Sequence, residues 1–143
     1  MEHVEYVYTV GMTDAEVDEY LRTGEHGVLG LADADDAYAV PLSYHYDGTR
    51  FLLRVSHHDD DSDKRQYLET TDTATFISFD ASMADSWSIQ VRGPIAPWDE
   101  DVDEATLDGW FPPFRLFDEA VDDVEFTLYE LRMESVVGRR TVE

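Results

Sequence analysis

Between residues 13 and 23 the apolar positions Val17, Tyr20 and Leu21 recur at helical spacing behind the polar start Thr13-Asp14-Ala15-Glu16. That start is a capping box: the threonine side chain and the glutamate three residues on each take up a backbone N–H that the first helical turn leaves unpaired. A helix is predicted over 13–23, ended by Gly24. The period then shortens to that of extended chain. Gly27-Val28-Leu29-Gly30-Leu31-Ala32 reads as a strand, an aspartate-rich turn follows, and Ala37 to Tyr46 reads as a second strand. Asp47-Gly48 is a strong hairpin signal, and Phe51-Leu52-Leu53-Arg54-Val55 returns as the third strand of a meander. Ser62 is placed to cap a second helix running through Lys64, Arg65, Tyr67 and Leu68. Two further strands are expected at Ala74 to Phe79 and Trp87 to Ile95, then a helix from Asp103 to Trp110, broken by Pro112-Pro113. A long final strand, Val124 to Val137, carries Phe126, Leu128, Tyr129, Leu131, Met133 and Val136. Strands joined mostly by hairpins predict a mainly β protein with flanking helices, an antiparallel barrel or sheet and not a doubly wound one.

Composition changes this picture in one respect. The chain has 33 acidic and 10 basic residues, a formal charge of −23, with runs such as Asp33-Ala34-Asp35-Asp36 and Asp59-Asp60-Asp61 spread along it. Its 43% hydrophobic and 13% aromatic content argues against disorder. The acidic surface instead suits a salt-rich cytoplasm, because the Debye length falls to roughly 3 Å at 1 M salt and self-repulsion is quenched. Nine of the ten cations are arginine and one is Lys64. No basic cluster exceeds Lys64-Arg65 or Arg139-Arg140, so neither nucleic acid nor a membrane is an expected partner. The absence of cysteine excludes disulfides, thiolate nucleophiles and cysteine-ligated metals. With no basic-then-apolar leader at Met1-Glu2-His3-Val4-Glu5, no run long enough for a bilayer and no linker, the expectation is one cytoplasmic domain over 1–143.

Taken alone, the polar residues leave alternatives open. A helix start after Ser62 offers backbone N–H groups and a positive dipole end, with the full charge of Lys64 beside them, which suits a phosphate. The same spacing suits a pair with Asp60, Asp61 or Glu69 equally well. Arg54 at a strand end could meet an aspartate or a cofactor. Gln90, between Ile89 and Val91, reads as a solvent-facing strand residue, while Ser56 and Ser88 are hydroxyl donors. His57-His58 before the aspartate run does not form a metal site by spacing, and no structural metal is expected. His45 reads as a strand histidine. Trp87, Trp98 and Trp110 read as core or interface residues, and Trp110-Phe111-Pro112-Pro113-Phe114 as an apolar interface patch. No Ser-His-Asp order, paired carboxylates or glycine-rich phosphate loop stands out.

The order of Tyr38-Ala39-Val40-Pro41-Leu42-Ser43-Tyr44, Asp47-Gly48, Phe51-Leu52-Leu53, Ser62-Asp63-Lys64 and Ser88-Ile89-Gln90-Val91-Arg92-Gly93 resembles the FMN-binding split β-barrel superfamily of pyridoxamine 5′-phosphate oxidase, over roughly residues 10–100. It looks nearest to the nitroimidazole-resistance flavoproteins. The resemblance implies a six-stranded antiparallel split barrel, FMN as cofactor, and a homodimer with the flavin between subunits. Lys64 falls at a phosphate-gripping lysine and Gln90 at a flavin-touching glutamine. Where the oxidase has a phosphate-binding arginine this chain has Ala39, and Arg54, with Ser56, is expected to supply that contact. Val40, Pro41, Leu42, Ser43, Gln90 and Ser88 are then expected around the ring system. The C-terminal pattern that binds pyridoxal phosphate has no counterpart, so the expectation is a flavin-dependent oxidoreductase on another small molecule. The alternatives are a non-catalytic flavin-binding or structural dimer, or a relative using deazaflavin or haem.

Overall fold

A computed structural model describes residues 9–57, 62–81, 85–98, 100, 102–111 and 125–141. A short strand β1 (Thr9–Gly11) precedes helix α1 (Asp14–Thr23), and the meander β2 (His26–Asp33), β3 (Asp36–Tyr46) and β4 (Phe51–His57) follows. Then come α2 (Ser62–Thr70), β5 (Ala74–Asp80), β6 (Trp87–Gly93), β7 (Ile95–Pro97), α3 (Glu104–Trp110), β8 (Glu125–Leu131) and β9 (Ser135–Thr141).

The local signals account for most of these elements. Glu16 N donates to Thr13 Oγ1 at 3.2 Å and Thr13 N to Glu16 Oε1 at 2.9 Å, the two halves of the capping box. At the other end of α1, Gly24 lies so close to the Tyr44 hydroxyl that a Cβ would overlap it. The β3–β4 turn closes because Thr49 N and Arg50 N donate to Asp47 Oδ1 at 2.9 and 2.7 Å, while Gly48 takes φ 99°. Asp103 caps α3, accepting from Thr106 N at 2.7 Å. The Ser62 side chain and residues 58–61 lie outside the described residues, as do 112–114.

Among the described residues all ladders are antiparallel, in one nine-stranded sheet of order β1-β9-β6-β5-β2-β3-β4-β8-β7. Near one end of that order stand β9 and β6, and at the other end β8 and β7, their direct chain continuations. The sheet therefore curls until its two ends meet.

Nine strands replace the six expected, for identifiable reasons. Pro94 has no N–H for a ladder and divides the predicted strand 87–95 into β6 and β7. The predicted final strand bends opposite that proline: Arg132 N donates to Pro94 O at 2.9 Å and Glu134 N to Arg92 O at 3.0 Å. This division gives β8, paired with β4 and β7, and β9, paired with β6 and β1. The last strand, β1, is a three-residue edge too short to show a period.

The inward face of the curl is the core. Leu29, Leu53, Phe51, Phe76, Ile89 and Val91 are fully buried, and Tyr44 stacks on Phe51 with ring centroids 4.8 Å apart and meets Phe76 edge-on at 5.4 Å. Tyr44 brings its hydroxyl with it, donating to Leu21 O at 2.8 Å; burial pushes the phenol pKa up to about 12 against the opposing effect of Ser78. Ion pairing of Arg140 with Glu16 ties α1 to β9. Among the described residues, no helix is long and apolar enough to cross a membrane.

Candidate functional site

Because side chains alternate along a strand, burial of Leu53 and Val55 turns Leu52, Arg54 and Ser56 to the outer face of β4. Arg54 stands opposite Ser43 on β3 and Leu128 on β8, and Ser56 stands opposite Phe126. The Arg54 guanidinium lies over the Phe126 ring, 3.8 Å from its centroid, with Phe111 at 5.9 Å. Stacking uses the face of the guanidinium; its N–H groups lie in the plane, the arrangement that receives an oxyanion edge-on.

Lys64 reaches the same strand end from α2. Its Nζ donates to the Ser56 carbonyl at 2.6 Å, and the residue is 7% exposed. It is the only charged residue in the buried class among those described. Burying an ammonium is costly unless carbonyls or anions surround it, and the Ser56 carbonyl supplies part of that compensation. The three expected phosphate residues thus lie on or against the end of β4, Arg54 and Ser56 on its outer face and Lys64 at the Ser56 carbonyl, with Ser43 buried opposite Arg54 at 8% exposure.

The other expected residues separate into two groups. Val40 and Leu42 point inward, Leu42 at 6% exposure and Val40 partly buried against the core, so only their backbone could reach a ligand. Pro41 faces outward opposite Val28 and is exposed. Gln90 and Ser88 are outward on β6, opposite Ile77 and Phe79 of β5. Between β6 and β4 lie β5, β2 and β3, so four inter-strand spacings, about 19 Å, separate Gln90 from Arg54 along the sheet. One chain does not bring these two groups together.

Beside Arg54 the outer face is roofed by α3. Trp110 stacks on His45 at 4.6 Å with 7° between the rings, Phe111 meets His45 edge-on, and Phe111 and Leu52 are 2% and 1% exposed. Burial holds the His45 imidazole below its ordinary pKa, the Arg50 charge adds to this, and Asp47 opposes it. Trp110 and Phe111, read from sequence as an interface patch, therefore cover this chain's own β3 and β4. Sequence reasoning gave Phe126 no role beyond the strand pattern; its part emerges only when β8 is laid beside β4. Among the described residues no group of three histidine, aspartate or glutamate side chains is placed to hold a metal.

Residues 13–140 match the sequence pattern of the family described as pyridoxamine 5′-phosphate oxidase. No curated protein matches the chain. Among solved structures, a Corynebacterium glutamicum protein provisionally assigned as a pyridoxamine 5′-phosphate oxidase superposes with TM-score 0.68 at 13% identity, covering 97% of this chain and 96% of that one. An FAD- and haem-binding protein of Mycobacterium smegmatis gives TM-score 0.67 at 14% identity, covering 94% and 74%. A Bacteroides thetaiotaomicron protein provisionally assigned to 5-nitroimidazole antibiotic resistance gives 0.62 at 15% identity, covering 100% and 99%. At these identities the likeness is one of fold.

Proposed function

The chain belongs to the pyridoxamine 5′-phosphate oxidase family, and from that premise we propose that it is an FMN-binding split barrel acting as a flavin-dependent oxidoreductase on a small molecule. In this reading it works as a homodimer in a salt-rich cytoplasm. The observation that carries the reading is the buried Lys64 ammonium held at the Ser56 carbonyl, two residues along β4 from Arg54, on an otherwise strongly acidic protein. A phosphate near two negative charges needs such a cationic donor set, and the residues present fit it.

When bound, the flavin supplies the hydride chemistry; the chain's residues bind and orient it. Lys64 and Arg54 hold the phosphate by charge-assisted hydrogen bonds, Lys64 braced by the Ser56 carbonyl and Arg54 by the Phe126 ring. Phe111 and Trp110 cover the sheet face beside Arg54 and keep water from it. The distance from Gln90 to Arg54 supports the dimer, since a second copy can offer its β6 to the β3–β4 region of the first.

The test is purification in molar salt followed by absorbance and mass analysis of bound small molecules. A flavin band, with the mass of FMN, is expected. A colourless protein that takes up no FMN on titration sinks the proposal. Reduction of the bound flavin by a nicotinamide donor separates an enzyme from a flavin-binding protein without turnover, and a Soret band identifies haem use.

A further inference from the structure

Acidic residues make up 33 of 143 positions, yet among the described residues they avoid one face of the sheet. The register sets outward positions side by side: Arg139 with Ser88, Ser88 with Phe79, Val137 with Gln90, Gln90 with Ile77, Ile77 with Val28, Val28 with Pro41. At none of the outward positions of β9, β6, β5, β2 and β3 does an aspartate or glutamate stand. The charges on this face are arginines, Arg92 and Arg139. Phe79 and Val137 are each 55% exposed there, the largest exposures among the large hydrophobic residues described.

We propose that this acid-free sheet face is a salt-gated contact: it closes on a second copy of the chain when ionic strength screens the carboxylates elsewhere, so that salt controls completion of the flavin site. The inference rests on the flavin reading for its last clause only. Two copies of formal charge −23 repel at long range, and that repulsion opposes association in dilute buffer. The screening length drops from about 10 Å at 0.1 M salt to about 3 Å at 1 M. With no carboxylate at the outward positions of these five strands, the repelling charges among the described residues sit at the rim and beyond, where salt screens them. Burial of Phe79, Val137 and Ile77 is not weakened by salt. The five strands, each about 4.8 Å wide and seven or more residues long at about 3.4 Å each, give a projected footprint about 24 Å on a side, roughly 580 Å², the larger part of the about 800 Å² per partner that a stable interface buries. A surface matched by ion pairs would respond to salt in the opposite sense.

Sedimentation of the full chain without flavin, from about 0.1 M to about 2 M KCl, tests this, with circular dichroism at each step marking the range in which the chain is folded. Within that range the dimer association constant should rise about tenfold or more. F79D should remain a folded monomer at the highest salt. Association that is independent of salt or weakened by it, or F79D that still dimerises, overturns the proposal. FMN titration then separates the readings. A salt-induced dimer that takes no FMN refutes the flavin reading alone, whereas equal FMN affinity in wild type and F79D refutes the link between assembly and the site.

Discussion

Replacing Lys64 by methionine keeps the length and most of the volume of a 7%-exposed side chain while removing its charge, so it isolates the proposed phosphate contact. A hydrogen bond to a charged group contributes about 1.5–3 kcal/mol, which corresponds to an increase in FMN Kd of about 10- to 150-fold. The effect on folding is expected to be smaller. The Ser56 carbonyl loses the 2.6 Å donor, about 1 kcal/mol, but the fold no longer has to desolvate an ammonium, which offsets part of that loss. Quenching of FMN fluorescence on titration in molar salt gives the Kd, and urea denaturation gives the stability. R54M should weaken FMN similarly, and the double variant should show coupling above about 0.5 kcal/mol because both side chains face one anion. A Kd within about threefold of wild type, together with a loss of stability, would show that Lys64 is a strut between α2 and β4 and would refute the phosphate assignment.

Other expectations follow from the core and the bends. The Tyr44 phenol, raised from 10.0 to about 12 chiefly by burial, favours the folded state fully below pH 10; that contribution is lost as pH rises through about 12, because the unfolded phenol ionises first. Denaturation midpoints across pH 9–12 should show this alkaline loss, on the order of 2–3 kcal/mol, and Y44F should remove that share, leaving the part due to Tyr46 and Tyr129, whose phenols burial also raises. Gly93→Ala would drive a methyl group into the Arg132 carbonyl at the β6–β7 bend, so destabilisation of about 1–3 kcal/mol is expected from thermal melts. Ala34, at φ 55° in the β2–β3 turn, sits in the left-handed region, and Ala34→Gly should raise stability by about 0.5–1 kcal/mol in the same assay.

Much of the fold was legible because its signals are local. The capping box at Thr13, the Asp47-Gly48 turn and the alternation through β2 to β6 each act within a few residues, and each forms its element where the pattern places it. The family pattern also allowed Lys64 and Arg54 to be named together. That Lys64 reaches the Ser56 carbonyl depends on where α2 sits against β4, which no spacing rule specifies.

Legible in the chain alone were a mainly β, antiparallel protein and its strongly acidic composition. Tertiary structure decided the rest. Residues 124–137 have the pattern of one strand, and only the Pro94 bend beside them makes two, directed to different neighbours. Val40 and Leu42 share a motif with Pro41 and Ser43, but the pleat puts the first pair in the core. The four strand spacings that lie between Gln90 and Arg54 along the sheet, about 19 Å, follow from strand order, as does the gathering of outward positions into a face without carboxylates. Alternation along each strand is a local consequence of backbone geometry. Which strands lie side by side is set by burial of the whole apolar face at once, and that sum is not written in any one segment.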